Sequence, residues 1–309
     1  TYNQEKYIAE CLESLVTQQT SFKFEIIVGE DCSTDNTRKI VQQYVEQYPD
    51  LIVPLFYEEN VGAVENVKRV YKAAKGKYIA HMDGDDMALP NKLQRQFNIL
   101  EANLDCNVCS HNMVEVYLDE ILKSKTWVYP TGKYNLLQFY QKMPIFSHSS
   151  KMFRNKYKKT FWDDALKNDN VLDIDIHILN LEDGDLYNLN EFLGKYRVAS
   201  GVSQINNKYN PNIPIGVIRC YEKGMILFKD NRDSVEVIRK SYALAMIKCA
   251  YNYAIHDKDV YKFREYVFKS FKIGFFSFHQ LIFGFFVFFP KVFFKSVEIR
   301  NNYKLKRLN

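Results

Sequence analysis

Over its first hundred residues the chain alternates short apolar runs with segments of helical spacing, and the runs end in polar or acidic turns. Tyr7, Ile8, Cys11, Leu12, Leu15 and Val16 recur at the spacing of one helix face. Residues 24–28 read as a buried strand. Ser33 takes an N-cap position, Ile40, Val41, Tyr44, Val45 and Tyr48 mark the next helix, and Pro49 ends it. Residues 51–56 read as a second strand, 64–74 as a helix closed by Gly76, and 78–82 as a third strand. Leu89-Pro90 then opens a helix with Leu93, Phe97 and Leu100 on one face. Such alternation predicts βαβ units and an α/β fold: a mostly parallel sheet flanked by helices. In these sheets ligands bind beyond the carboxyl ends of the strands. Two acidic clusters lie at such ends, Glu30-Asp31 and Asp83-Gly84-Asp85-Asp86.

The rest of the chain is read more coarsely. Residues 112–159 carry strand-like pieces and loops. Residues 212–272 turn helical, with Ile218, Tyr221, Met225 and Phe228 on one helix and Val237, Tyr242, Met246, Ala250 and Tyr253 on another. Residues 273–290 hold no Lys, Arg, Asp or Glu, are rich in phenylalanine, and are flanked by Lys272 and Lys291. That run is barely long enough to span a bilayer, and Ser277, His279, Gln280 and two glycines disfavour spanning. It reads as an interfacial segment on a membrane surface, against the alternative of a buried helix.

Composition narrows the classes. Hydrophobic residues at 47% and charged residues at 26% suit a packed globular core. A net charge of +5 falls well short of a nucleic-acid-binding signature. The six cysteines are scattered. The pair Cys106 and Cys109 lacks the second pair, or histidines at ligand spacing, that zinc needs, so it reads as buried strand cysteines. The pattern suits a reducing compartment.

Three acidic positions carry chemistry. Asp83 and Asp85, two apart at a strand end, can point to one side and hold Mg²⁺ or Mn²⁺, which would neutralise a diphosphate leaving group. Asp31 can accept a hydrogen bond from a base N–H or a ribose hydroxyl. In Asp173-Ile174-Asp175 one carboxylate would suffice as a general base, the alternative being an ordinary helix N-terminus with acids in its first turn, and spacing alone does not decide between these.

Ordered motifs now become recognisable: Thr1-Tyr2-Asn3 with Glu5 and Ile8, the I-I-V-G-E-D-C-S-T-D-N-T stretch of residues 26–37, Glu59-Asn60-Val61-Gly62, the A-K-G-K-Y-I-A-H-M-D-G-D-D stretch of residues 74–86, and Pro90, Lys92 and Leu93. Residues 1–101 closely resemble the nucleotide-binding half of glycosyltransferase family 2, which has the GT-A fold. The resemblance implies an inverting transferase using a nucleotide-sugar donor, with Thr1, Asn3, Glu5, Asp31, Asn60 and Gly84 at the nucleotide sugar. Asp83 and Asp85 would form the D-x-D pair, Asp85 as the direct ligand of Mn²⁺ or Mg²⁺. It also implies an apolar strand just before Thr1.

A weaker match covers residues 172–203. It makes Asp173 the catalytic base, although Ile174 stands where the family has Trp. Residues 196–201 resemble a Y-R-x-H-x-G loop in which Ala199 replaces the family His, leaving Arg197 for the diphosphate. Residues 147–154 resemble the acceptor side, where His148 faces either an acceptor or the core; Trp162 reads as core. The implied organisation is a GT-A domain over residues 1–210, a helical extension over 211–272, and an aromatic, basic tail over 273–309. The implied partners are a UDP-sugar, a saccharide or lipid-linked acceptor, and the inner face of a bacterial cytoplasmic membrane. A sugar nucleotidyltransferase would want Gly and Arg in the N-terminal loop, which residues 1–7 lack. A catalytically inactive, membrane-tethered binding protein is the other alternative.

Overall fold

The computed structural model describes residues 1–117, 120–121, 126–167, 170–198, 204–205 and 208–305. The chain forms two compact units, Thr1–Phe139 with Pro144–Gly201, and Tyr140–Met143 with Val202–Asn309.

The first unit begins with α1 (Ile8–Val16), β1 (Ile26–Glu30), α2 (Thr37–Gln47), β2 (Ile52–Phe56) and α3 (Ala63–Ala73). β1 and β2 pair in parallel from Ile26 opposite Ile52 to Glu30 opposite Phe56. The apolar helix faces close over them, so Ile8, Cys11, Leu12, Ile26, Val28, Val41 and Ile52 form one buried cluster. β1 runs two residues further than the apolar run suggests, which places Glu30 inside the strand and Asp31 at its end. Thr1 lies alongside β1, its N donating to Gly29 O (2.8 Å) and its O accepting from Asp31 N (3.0 Å). Gly29 has no room for a side chain: a Cβ there would lie 1.9 Å from Asn66 Oδ1.

The unit continues with β3 (Tyr78–Ala80), β4 (Met87–Ala88), α4 (Lys92–Ala102), β5 (Cys106–Tyr117), β6 (Glu120–Ile121), β7 (Gly132–Tyr134), the first part of α5 (Leu136–Lys142, whose residues 140–142 fall in the second unit), β8 (Met152–Arg154), α6 (Lys159–Ala165), α7 (Asp173–Glu182) and β9 (Asp185–Arg197). These strands form one sheet in the order β3-β8-β5-β9-β4, with β6 on β5 and β7 on β9. The sheet is mixed. β5 and β9 pair in parallel, while β3 with β8, β5 with β8, β4 with β9, β5 with β6 and β7 with β9 are antiparallel. The parallel expectation came from the helix-separated strands of the first hundred residues. Parallel neighbours need long crossovers, and beyond residue 105 several short strands return without one. Cys106 and Cys109 are buried on β5 with free thiols. Trp162 is buried against Tyr71, Phe153 and Tyr157, a core role.

The second unit contains β10 (Gln204–Ile205), β11 (Lys208–Tyr209), α8 (Asn212–Leu227), α9 (Arg232–Asn252), a π-helical turn (Tyr253–Asp257), α10 (Val260–Ile273), α11 (Phe278–Phe286) and α12 (Pro290–Leu305). α9 and α10 bury Ile238, Tyr242, Met246, Phe263, Tyr266 and Val267. The uncharged run is broken. Gly274 takes a φ of 155°, and buried Gln280 ties the break by accepting from Phe276 N (2.8 Å) and donating to Gly274 O (2.7 Å). Among the described residues no single helix is long and apolar enough to cross a membrane; the pair Phe278–Phe286 and Pro290–Glu298 is bent by 112°.

Candidate active site

The first unit gathers the residues singled out in the sequence at the carboxyl ends of β1 and β3. On the β1 side two loops interlock. Asn3, at a φ of 51°, donates from its N to Ser33 Oγ (3.0 Å) and accepts at Oδ1 from Thr34 N (2.8 Å). Glu5 Oε2 accepts from Asn36 N (2.9 Å) and Nδ2 (2.8 Å). Asp31 organises a third loop. Its carboxylate accepts from Val61 N (2.7 Å) and Gly62 N (3.0 Å), while Asn60 Nδ2 donates to its carbonyl (3.0 Å). Each carboxylate oxygen keeps a further lone pair for a ligand donor. Glu30 is spent on structure: it is fully buried, accepts from Ser33 N (2.7 Å) and pairs with Arg38.

The acidic turn follows β3. Gly84 is required there because the 1–4 loop lies on it; a Cβ would sit 2.4 Å from Gln4 Oε1 and 2.8 Å from Thr1 Oγ1. Asp83 is held from two directions. Its N donates to Ser149 Oγ (3.0 Å), and Ser149 Oγ donates to Asp83 Oδ2 (3.1 Å). His81 Nε2 lies 3.1 Å from Asp83 Oδ1, and Tyr71 OH lies 2.9 Å from His81 Nδ1. Burial keeps the Tyr71 hydroxyl protonated, so it donates to Nδ1, and Nε2 then carries the proton toward Asp83. Burial opposes ionisation of Asp83, but the hydrogen bonds from His81 and Ser149 outweigh it and its pKa falls below the usual value. The Asp83 side chain remains 45% exposed, open to a ligand.

Asp85 and Asp86 are buried. Asp86 Oδ1 accepts from Arg197 N (2.8 Å), its Oδ2 has no partner, and burial together with the charges of Asp83 and Asp85 raises its pKa well above the usual range. Arg197 backs the turn: Nε donates to Asp85 O (3.1 Å), Nη2 pairs with Glu10 (2.8 Å), and the guanidinium lies 4.3 Å from the centre of the Tyr7 ring. Asp83 with its open side chain and buried Asp85 and Asp86 are the carboxylates this turn offers, a donor type suited to a hard divalent cation.

Opposite the turn, α7 begins at Asp173. Ile174 N donates to Asp173 Oδ1 (2.8 Å). Asp175 turns back, its Oδ2 accepting from Leu172 N (2.8 Å), the acidic half of a helix cap. Asp173 reaches solvent at the helix start. Neighbouring groups strip enough of its water to raise its pKa; Lys151 opposes this, and Asp83 and Asp175 add to it. Lys151 is fully buried, which lowers its pKa to about 7.

Little in the sequence signals that His81, Tyr71, Lys151, His148 and His177 meet here. The His81 and His148 rings are 3.7 Å apart, and His148 Nδ1 lies 3.2 Å from both His177 Nε2 and Lys151 Nζ. The only available signal was the H-S-S-K run beside an Asp-x-x-x-His spacing on α7. Ala199, in place of the family His, lies outside the described residues.

Comparison with known proteins agrees with this architecture. Residues 1–161 match the family description "Glycosyl transferase family 2". The chain belongs to glycosyltransferase family 2. An uncharacterized protein of Mycobacterium tuberculosis is 39% identical over 120 residues, 38% of this chain and 35% of that protein; the chain thus aligns with about a third of its length. An uncharacterized glycosyltransferase of Methanocaldococcus jannaschii is 31% identical over 208 residues, 65% of this chain and 69% of that one. TuaG of Bacillus subtilis, assigned to teichuronic acid biosynthesis, is 37% identical over 100 residues, 32% of this chain and 39% of TuaG. In structure the chain resembles S. aureus TarS 1-349, solved with UDP-GlcNAc, at a TM-score of 0.61 and 16% identity over 88% of this chain and 79% of that one. It also resembles a Pyrobaculum calidifontis mannosyltransferase solved with GDP-Man and Mn²⁺, at 0.51 and 13% identity over 94% of this chain and 86% of that one. At those identities the structural likeness speaks for the GT-A fold.

Proposed function

We propose that this glycosyltransferase moves a sugar from a UDP-linked donor to a hydroxyl of a saccharide or lipid-linked saccharide in one inverting displacement, in bacterial surface polysaccharide or glycolipid synthesis. The observation that carries the reading is the approach of the acidic turn to Asp173: Asp83 lies 3.1 Å from His81, the His81 and His148 rings are 3.7 Å apart, and His148 and Asp173 have donor atoms within 4.8 Å of each other. Thr1, Asn3, Glu5, Asp31 and Asn60 hold the nucleotide, and Arg197 keeps the acidic turn in place behind the diphosphate. Asp83 and Asp85 would hold Mn²⁺ or Mg²⁺, which when bound neutralises charge on the departing diphosphate. Asp173 takes the proton of the acceptor hydroxyl as its oxygen bonds to the anomeric carbon. The bond from that carbon to the phosphate oxygen breaks, and UDP leaves with the electron pair. The TarS complex with UDP-GlcNAc supports a uridine nucleotide. A panel of nucleotide sugars tests the reading by titration with Mn²⁺. UDP-sugars are expected to bind in a metal-dependent way and to release UDP. A chain that binds them and releases none, with every acceptor class, would be the inactive binding protein.

The second unit supplies the proposed membrane contact, at the inner face of the cytoplasmic membrane. Phe278, Phe285 and Phe288 are 72%, 61% and 75% exposed, near Lys272 and Lys291. Apolar area of this kind favours an interface, and each lysine near an anionic surface adds about 1 kcal/mol. The full chain is expected to float with anionic liposomes, and Phe278→Glu combined with Phe288→Glu to remove it from the lipid fraction without loss of UDP binding. Flotation unchanged by the double substitution would place the contact elsewhere.

A further inference from the structure

The histidines opposite the acidic turn are badly provided for as a hydrogen-bonded cluster. His148 Nδ1 offers one in-plane lone pair or one proton, yet both His177 Nε2 and Lys151 Nζ lie 3.2 Å from it. His177 is fully buried, stacks on Phe146 at 4.2 Å, and its Nδ1 has no partner. Asp173 and His177 lie one turn apart on α7 and so share a face. Donor atoms of His148, Asp173 and His177 all lie within 4.8 Å of one another. Two nitrogens bound at 2.0–2.1 Å to one tetrahedral ion stand about 3.3 Å apart, close to the 3.2 Å between His148 and His177.

We infer that His148, Asp173 and His177 form a second cation site, for a borderline transition metal such as Zn²⁺ or Co²⁺. Its chemistry differs from that of the acidic turn. Two imidazoles and one carboxylate suit Zn²⁺ and Co²⁺, whereas carboxylates alone suit Mg²⁺ and Mn²⁺. The ion would take the place of the proton between His148 Nδ1 and His177 Nε2, each ring carrying its proton on the other nitrogen, and the ammonium of Lys151, a competing cation, would give way. The binding stands on these three residues alone. Its consequence rests on the proposed reaction: an ion on Asp173 takes the lone pair that would accept the acceptor's proton, so Zn²⁺ at this site inhibits transfer while Mn²⁺ at the acidic turn supports it.

The test is a titration of the full chain with Co²⁺ in excess Mg²⁺, followed by the visible ligand-field absorption of the bound ion. The parent is expected to develop the band of a nitrogen-ligated, low-coordinate site. His148→Ala, at a half-buried position, is expected to lose it with at least about a 10-fold loss of affinity, the least that disturbing a metal's surroundings usually costs. His177→Gln should do the same, with Mn²⁺-dependent UDP binding showing that each variant is folded. Asp85→Ala should keep the band, and Lys151→Met should tighten binding by removing the competing charge. Absence of the band in the parent, its survival in His148→Ala, or its loss in Asp85→Ala would overturn the site. UDP release is read in parallel. Inhibition by Zn²⁺ that disappears in His148→Ala supports both site and consequence. A band that responds to His148→Ala without any Zn²⁺ inhibition keeps the site and removes Asp173 from the role of base.

Discussion

Asp173→Asn is expected to slow sugar transfer at least about 10²-fold, the lower range for loss of a general base, while leaving UDP-sugar binding in place. The amide matches the carboxylate in shape, and its oxygen can still accept from Ile174 N, so the start of α7 survives. What is lost is the basic lone pair. Asp175→Asn is expected to act differently. Asp175 accepts from Leu172 N, a bond an amide oxygen keeps, so its amide variant should cost only the charge at the helix start, about 0.3–1 kcal/mol, and leave the chemical step largely alone. Full activity in Asp173→Asn with loss in Asp175→Asn would move the base to Asp175.

The same residue sets a pH dependence. Crowding raises the pKa of Asp173 above its ordinary 3.8, with Lys151 opposing and Asp83 and Asp175 adding to the shift. The base works only when ionised, so the rate falls as pH drops through this raised pKa. The acid limb should therefore lie above that of an ordinary aspartate, and Asp173→Asn should lack it. Lys151→Met removes the positive neighbour and should move the limb further up. A limb unmoved in Lys151→Met would detach Asp173 from the titration.

The helix-separated first hundred residues were legible because each element there is local. Periodicity fixes the faces of α1 and α2, and the strand ends place the acidic pairs. The mixed pairing of β5, β8 and β9 was not legible, since a strand's direction depends on which neighbours it finds across the sheet. Gly84 shows the same limit on a smaller scale. In the sequence it is a turn residue; in the fold it is a contact with Thr1 and Gln4.

The histidine cluster escaped for a related reason. His81, His148 and His177 come from the end of β3, a turn before β8, and α7, and the sequence alone places only His148, toward either an acceptor or the core. Their meeting follows from β3 pairing with β8, which carries the His148 turn to the acidic one. Asp31 and Asn60 differ from them. The family resemblance implies ligand roles for them, and the fold also gives them structural work in joining the β1 loop to residues 60–62.

Asp85→Ala is expected to reduce transfer by about 10²–10³-fold, the scale of several kcal/mol of metal-borne charge stabilisation, and to bring UDP binding in Mn²⁺ down to its metal-free level. Two contacts of the turn survive the substitution. Arg197 Nε bonds the carbonyl of Asp85, which alanine keeps, and Asp86 Oδ1 still receives Arg197 N. Burial, then Asp83, then Asp85 push the pKa of Asp86 up, so deleting Asp85 removes one of the repulsions stored in the turn. Loss of transfer with an unchanged or higher melting temperature separates a ligand from a structural carboxylate, because a structural one would lower both. Undiminished Mn²⁺-dependent UDP binding in Asp85→Ala would leave Asp83 as the carboxylate to test next, and would take Asp85 out of the metal site.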